Sequence, residues 1–358
     1  MPNGDVFAGG DFTLSGSGSV ELSRIARWDG NTWHPFGTGL SGGNPPTGAY
    51  TSVVLSNGDL VIGGTFSEVD GVAANFVARW DGTSWHAMDG GFSTLVRDLH
   101  IGRNGDLFVA GGFKEFGGVA RWTGSEWVET APGGPSSNNA ASMASNFHDT
   151  LIVGGFHFGV MYYNGQDWIA LGGSVNNTLS FAYVYAMDTS PSFDIYAGGR
   201  FDEAGGQPAK NIARWSGGQW SALGQGVNGN VYSVYAHSNG SVYVGGDDGL
   251  NIWDGSAWNV SEVDVSGVVH AITHDVNGDV LFGGTFALAN GVSVKSIARI
   301  SCVCYPDCDK SGTLSIFDYI CYGNEYSAQT AYADCDQSGS LNVFDYICFG
   351  NAYVGGCP

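Results

Sequence analysis

Two stretches near the C-terminus carry oxygen-bearing side chains at a spacing that suits a hard cation. DCDKSGTLSIFDYICYGN begins at Asp307 and DCDQSGSLNVFDYICFGN at Asp334. In the first copy Asp307, Asp309 and Ser311 alternate, so a turning backbone aims three oxygens at one point, and Gly312 allows a bend that a side chain would obstruct. Thr313 then offers its backbone carbonyl, Ser315 acts directly or through a water, and Asp318 closes the shell from the first turn of a following helix. The second copy repeats the set with Asp334, Asp336, Ser338, Ser340, Asn342 and Asp345 around Gly339. These are positions 1, 3, 5, 7, 9 and 12 of a twelve-residue calcium loop, with glycine at 6 and an aliphatic residue at 8. Leu314 and Leu341 hold that eighth place and are expected to pair between the loops. Oxygen-only ligands at this count suit calcium better than zinc or copper, so two calcium ions are expected.

The elements that must position these loops are two short helices, FDYICYGN and FDYICFGN, one after each loop. The last ligand is Asp in both copies, where calcium sensors of the helix-loop-helix type carry a longer Glu. Paired loops ending in Asp and running into short helices resemble a dockerin module, the duplicated calcium-binding domain that docks onto cohesin partners in cellulose-degrading assemblies. The Cys-containing variant, closing on Gly356-Cys357-Pro358, is similar to dockerin-like C-terminal domains of secreted proteins from planctomycete-type bacteria. The resemblance covers residues 302–358 and implies calcium and a cohesin-like or envelope protein as partner. Dockerins carry recognition residues at loop positions 10 and 11; here these are Ile316-Phe317 and Val343-Phe344, apolar rather than hydroxyl pairs and open to a core role as well.

Cysteine usage points to the same module. All seven cysteines fall at 302, 304, 308, 321, 335, 348 and 357, and none earlier. A small domain with a thin core gains from covalent staples, which persist outside the reducing cytosol. Paired C-x-x-C knuckles for zinc are missing. Cys308 and Cys335 are equivalent, as are Cys321 and Cys348; pairing of Cys357 with Cys302 or Cys304 would clasp the module's ends, and the odd count leaves one thiol over.

Upstream runs a second repeat of longer period. Gly-Gly doublets recur at Gly9, Gly63, Gly111, Gly154, Gly198, Gly245 and Gly283, usually after an alternating apolar run, as in NGDLVIGGTF. Six are followed by W-x-G-x-x-W or its variant: WDGNTW at Trp28, WDGTSW at Trp80, WTGSEW at Trp122, YNGQDW at Tyr163, WSGGQW at Trp215 and WDGSAW at Trp253. These slots consume all eleven tryptophans, which marks them as architecture. A period of roughly forty to fifty residues with short β-type runs between Gly and Asn turns is the signature of propeller blades. Each unit reads as four strands: a leading run such as YTSVVL, the NGDLVIGG run, the FVARW run and the run from the second Trp. Glycine is 58 of 358 residues, about twice the usual share near 7%, and turns and doublets account for the excess.

The expected fold is therefore all-β, an approximately seven-bladed propeller over residues 1–300, followed at 301–358 by a small α-helical dockerin-like domain with two calcium loops. The first unit opens directly on NGDVFAGG at Asn3 and lacks a leading strand, while the last stops after SIARI at Ile300 and lacks its Trp strand. A segment preceding Met1, carrying the signal for export, is expected to supply both strands and close the ring.

Net charge is -21 with thirteen basic residues. Arg27, Arg79, Arg121, Arg214 and Arg299 fill one repeated slot, mostly beside the first Trp, and either pair with the NGD acids such as Asp59, Asp106 and Asp279 or stack on the indole. With these committed no basic stripe remains for a phosphate backbone, which excludes nucleic acid, and no apolar stretch is long enough to span a membrane. Catalytic strings are absent: there is no H-E-x-x-H, G-x-S-x-G or P-loop, and His34 and His86, each after a second Trp, are repeat residues. The acid pairs Asp202-Glu203 and Asp247-Asp248 are the residues a glycosidase would need across a cleft. The sequence favours an extracellular or cell-surface, non-catalytic propeller that presents loops to a polysaccharide or protein, tethered by the calcium module. The alternative is a carbohydrate-active propeller enzyme, a glycoside hydrolase or lyase, carrying the same module.

Overall fold

The structure, a computed structural model, describes residues 4–15, 18, 20–43, 47–130, 135, 139–164, 166–173, 175–178, 181–238, 240–259, 265–275, 279–289, 292–294, 296–300, 308 and 316–328. These residues are mostly strand, arranged as many small antiparallel sheets with one helix, and the four-strand unit read from the sequence is what they build. The second sheet runs Ala49–Val54, Leu60–Gly64, Val77–Trp80 and Trp85–Ala87, each strand beside the next. Four more repeat that meander, led by Val96–Ile101, Ala140–Ser145, Tyr183–Thr189 and Val231–Ala236. The first sheet has three strands, Val6–Gly9, Ile25–Trp28 and Trp33–Pro35, and no leading strand among the described residues. In the last, Val265–His274, Val280–Ala289 and Val292–Ser293 pair in that order. Two small sheets join units: the hairpin Glu68–Val69 and Val72–Ala73 takes Leu40–Ser41 from the unit before, and Glu203–Ala204 with Gln207–Pro208 takes Val175–Asn176.

The repeated residues each solve one packing problem. The two aromatics of W-x-G-x-x-W face each other across a hairpin, as in Trp80↔Trp85 and Trp215↔Trp220, with ring centroids 5.4 and 5.5 Å apart. Pairs of this kind contribute about 0.2–1 kcal/mol beyond alanine pairs. The second Trp also reaches the preceding unit: its indole N–H donates to the Met88 carbonyl from Trp127, to Leu171 from Trp220 and to Leu223 from Trp258. In the equivalent places Trp85 and Trp168 hold buried indole nitrogens without a partner among the described residues. Of the two roles open to the repeated arginine, the ion pair is the one adopted. Arg27 pairs with Asp5, Arg79 with Asp59, Arg121 with Asp106 at 3.5 Å and Arg214 with Asp194 at 2.6 Å.

The Gly-Gly doublet is where one sheet meets the next. A Cβ on Gly63 would lie 2.4 Å from Val96 of the following leading strand, and Gly154, Gly198 and Gly245 stand in the same relation to Val184, Val231 and Val269. In the third unit the doublet is shifted by one residue, so fully buried Ala110 takes the close-approach place. The core accordingly lies between sheets: one cluster joins Ile152 and Val160 to Val184, Ile195 and Trp220, and another joins Ile25 to Leu60, Ile62 and Trp85.

The chain divides into two compact units, Met1–Thr273 with Phe282–Ala298, and His274–Leu281 with Arg299–Pro358. In the second, Arg299 pairs with Asp279 at 3.3 Å and Asp275 at 3.6 Å. Its helix α1 spans Ile316–Ser327, Tyr322 is fully buried, and Cys308 is disulfide-bonded to Cys321.

Candidate functional site

The leading strands of the second to sixth sheets lie side by side, and each of these five bulges once, with the pairing register slipping at 49/51, 96/98, 140/142, 184/186 and 231/233. The second glycine of the unit sits against the bulge: a Cβ on Gly64 would meet the Gly48 carbonyl oxygen at 2.0 Å, and one on Gly284 would meet that of Val268 at the same distance. That equivalence aligns the six strands as Ala49-Tyr50-Thr51, Val96-Arg97-Asp98, Ala140-Ala141-Ser142, Val184-Tyr185-Ala186, Val231-Tyr232-Ser233 and Val269-His270-Ala271.

The three places behave differently. The first is always Ala or Val and packs on the preceding doublet. The third is small, and where polar it ties one strand to the next. The Leu99 N–H donates to Thr51 Oγ1 at 3.1 Å, that of Met143 to Asp98 Oδ2 at 2.6 Å, that of Met187 to Ser142 Oγ at 2.8 Å and that of Ile272 to Ser233 Oγ at 3.0 Å. Where the fifth sheet has Ala186, Asp188 takes over and accepts from the Ala236 N–H at 2.8 Å. The middle place, freed by the bulge, is Tyr, Arg, Ala, Tyr, Tyr and His. A bulge re-aims one side chain out of the ladder, and at this place five of the six strands carry a ring or a guanidinium between two smaller neighbours.

Around it the aromatics form a continuous row. Phe181 meets His157 at 4.4 Å between ring centroids, His157 meets Tyr183 at 5.4 Å, Tyr183 stacks on Tyr185 at 5.8 Å, Tyr185 meets Tyr232 at 5.7 Å and Tyr232 meets His270 at 5.4 Å. Phe156 packs against Tyr183 and Tyr185, and the Arg97 guanidinium lies over the Phe156 ring at 4.5 Å. Phe181 and Tyr50 are 66% and 48% exposed, so the row opens to solvent. Burial, then the neighbouring phenol Tyr232, pushes the Tyr185 hydroxyl up; burial followed by Asp247 does the same to Tyr232, so both phenols keep their protons at neutral pH. Asp247 accepts from the Asn230 N–H at 2.9 Å and amide at 2.8 Å, which holds its carboxyl below the usual range. This face offers flat apolar rings with hydroxyl, amide and guanidinium donors at their edges.

The residues singled out from the sequence fall elsewhere. Asp307, Asp309, Ser311, Thr313, Ser315, Asp334, Asp336, Ser338, Ser340, Asn342 and Asp345 lie outside the described residues, and Asp318 is the third residue of α1. Among the described residues no group of three or more His, Cys, Asp or Glu is placed to hold a metal. Asp202 accepts from the Thr178 N–H and hydroxyl, and Asp248 from the Asn228 amide at 3.3 Å. His34 and His86 bond Asp29 and Asp81 of their own hairpin turns at 2.6 and 2.7 Å.

Two carboxyls of the inter-strand ties carry a pH signature. Burial pushes Asp98 up to about 7, against the N–H groups of Met143 and Leu99 that favour its charged form, and burial pushes Asp188 up to about 6. A raised carboxyl keeps its proton in the folded chain over a range where the unfolded chain has lost it. Its contribution is therefore full below the unfolded value near 4 and is lost as pH rises toward 7. His100, held down to about 4 by burial, works in the opposite sense and is common to wild type and variant. Asp98→Asn is thus expected to gain stability relative to wild type as pH is raised from roughly 4.5 to 7.5. Urea midpoints at the two pH values check this; a difference between the proteins that does not move with pH counts against it.

Comparison with known proteins gives the fold class and no family. No protein-family model matches the chain, and no curated protein matches it. Solved structures do. The extracellular domain of the hybrid two-component system BT4673 from B. thetaiotaomicron is 16% identical, with a TM-score of 0.56 over 77% of this chain and 35% of that one. That of BT3049 from the same organism is 14% identical, with a TM-score of 0.58 over 83% and 37%. Virginiamycin B lyase from Staphylococcus aureus is 14% identical, with a TM-score of 0.51 over 78% and 94%. The chain thus spans about a third of the length of the two sensor domains. It is a mostly β protein of propeller-like fold. Two of these neighbours are extracellular domains, and no helix among the described residues is long and apolar enough to cross a membrane.

Proposed function

We propose that this chain is a secreted or cell-surface, non-catalytic binding protein, in which seven sheets form a seven-bladed propeller and a calcium-binding dockerin-like module tethers it. The observation that carries the reading is the aromatic row at the bulges: a scaffold regular in its tryptophans, arginines and glycines sets Tyr185, Tyr232 and His270 in one ring-to-ring series, with Arg97 over Phe156 beside it. Catalysis calls for groups poised on a reacting atom. Asp98 and Asp188 of the leading strands, and Asp247 beside Tyr232, are engaged by backbone N–H groups instead. Full-length protein is expected to be retarded in gels containing an envelope or plant-wall polysaccharide, and Tyr185→Ala with Tyr232→Ala to abolish the shift. Turnover of a retained polymer would overturn the non-catalytic assignment.

The tether rests on donor chemistry. Each loop offers oxygen ligands alone, α1 places Asp318 in its first turn, and the Cys308–Cys321 bridge ties the second residue of the first loop to that helix. Ile316 and Ile320 are 65% and 54% exposed one turn apart on α1, a surface suited to a cohesin-like or envelope protein. When bound, calcium neutralises the loop carboxylates and fixes where each helix starts. Chelator-stripped protein is expected to take up two calcium ions per chain by calorimetric titration, and Asp307→Ala with Asp334→Ala to remove both; a stripped chain that binds none refutes the module's assignment.

A further inference from the structure

Among nine arginines, five are paired with the repeat aspartates, and of the other four Arg97 is the one that, among the described residues, holds a buried nitrogen without a hydrogen-bond partner. It is half-buried at the bulge of the third leading strand and lies over Phe156. Its Nη1 is buried with no hydrogen-bond partner, and no carboxylate reaches it among the described residues. Burial lowers its pKa, with the Tyr50 phenol acting the other way, yet a guanidinium stays charged. A chain with 34 acidic residues has carboxylates to spare, so an arginine left without one at an open aromatic mouth is a donor fork awaiting an anion from outside. Burying a cation unpaired is costly, and the cost is recovered when a ligand anion arrives.

We propose that the bulge face binds a carboxylate-bearing glycan, a uronate-type polymer, with one carboxylate forked by Arg97 and its sugar rings laid along the Tyr183–Tyr185–Tyr232–His270 row. This rests on the reading of that face as a binding surface. Three features select the class. The rings follow one another at steps of 4.4 to 5.8 Å in an open array, which suits a polymer of repeating flat units better than a single small acid. Pyranose rings present C–H faces to aromatics and hydroxyl edges to polar groups, and the Tyr232 hydroxyl, which accepts from the Asn230 amide at 3.2 Å, stands at the edge of the row. An acidic peptide would instead seek an open strand edge; each bulge residue here lies on its sheet's terminal strand, but that edge faces the neighbouring leading strand, whose side chains take the N–H groups of Leu99, Met143, Met187 and Ala236.

The test uses the full chain in chelator at about 0.15 M salt, where the molecule's overall negative field is screened beyond roughly 8 Å. Calorimetry compares short oligogalacturonate, its neutral methyl ester and poly-L-glutamate. The acid form is expected to bind, and Arg97→Gln to weaken it roughly tenfold to a hundredfold while leaving the ester unchanged, as loss of a charge-assisted pair does. Arg97→Lys is expected to recover part of the loss, and tryptophan fluorescence to show that the variants fold. Equal binding of acid and ester, or an unaltered Arg97→Gln, overturns the anion assignment and leaves the binding face standing. Binding of poly-L-glutamate with matching affinity overturns the glycan class. If none of the three binds, both readings fall.

Discussion

Replacing Trp220 by alanine is expected to lower the free energy of unfolding by about 3–5 kcal/mol. The side chain is 5% exposed and belongs to the cluster that joins the fourth and fifth sheets through Ile152, Val184 and Ile195. Truncation therefore removes packing at an inter-sheet seam, and neighbours held in two different sheets cannot collapse far into the space. It also removes the donor to the Leu171 carbonyl at 2.7 Å, a bond that crosses from one unit to the one before it. Trp220→Phe separates the two effects. Most of the volume and the contact with Trp215 persist, while the carbonyl loses its partner, for an expected cost of about 1–3 kcal/mol. Urea denaturation followed by near-ultraviolet dichroism measures both. A loss under about 1 kcal/mol for the alanine variant would mean that the seam relaxes freely, contrary to its packing.

Much of this seam was legible in the sequence, because tryptophan, arginine and glycine at fixed spacing admit few explanations. The W-x-G-x-x-W string predicts a hairpin with two facing rings, which Trp215 and Trp220 form. The repeated arginine left an ion pair and indole stacking open, and geometry decides for Asp59 and Asp106 because the arginine's strand runs beside the strand those acids begin. The doublets were legible as punctuation but not as contact points, since the partner of Gly198 is Val231, more than thirty residues on in the next unit. The bulges were not legible at all. Alternation says which face a residue occupies, and a bulge breaks alternation by one residue without changing composition. Tyr50, Arg97, Tyr185, Tyr232 and His270 therefore read as ordinary strand members. Aligning the six strands on the doublet instead of on the apolar run would have exposed them, since the places on either side stay small. The bridge from Cys308 to Cys321 was likewise beyond reach, because equivalence of cysteines between two copies fixes no connectivity.

Gly198→Val tests the seam from its other side, and is expected to cost about 3 kcal/mol, the upper part of the range for overpacking a filled core. A Cβ at this place would sit 2.4 Å from Val231 Cγ1 and 2.7 Å from Val234 Cγ2. Neither neighbour can yield cheaply: valine is stiff at χ1, and both lie on the next leading strand, whose place is fixed by the Asp188 tie to Ala236. The cost is therefore one of space and not of backbone conformation. Placing the same substitution in a Val231→Ala background distinguishes the two. If the clash with Val231 dominates, Gly198→Val costs at least 1 kcal/mol less there than in the wild type, a coupling of the size seen between residues in direct contact. If the two costs simply add, the glycine is required for some reason other than the approach of the next sheet. Gly217→Ala provides the converse control, since a Cβ there meets nothing within 4 Å but the backbone is left-handed at φ +59. Its expected cost is about 1–2 kcal/mol, and it should show no coupling to Val231. A seam built from repeated close approaches is then distinguished, residue by residue, from the turns that merely use the same amino acid.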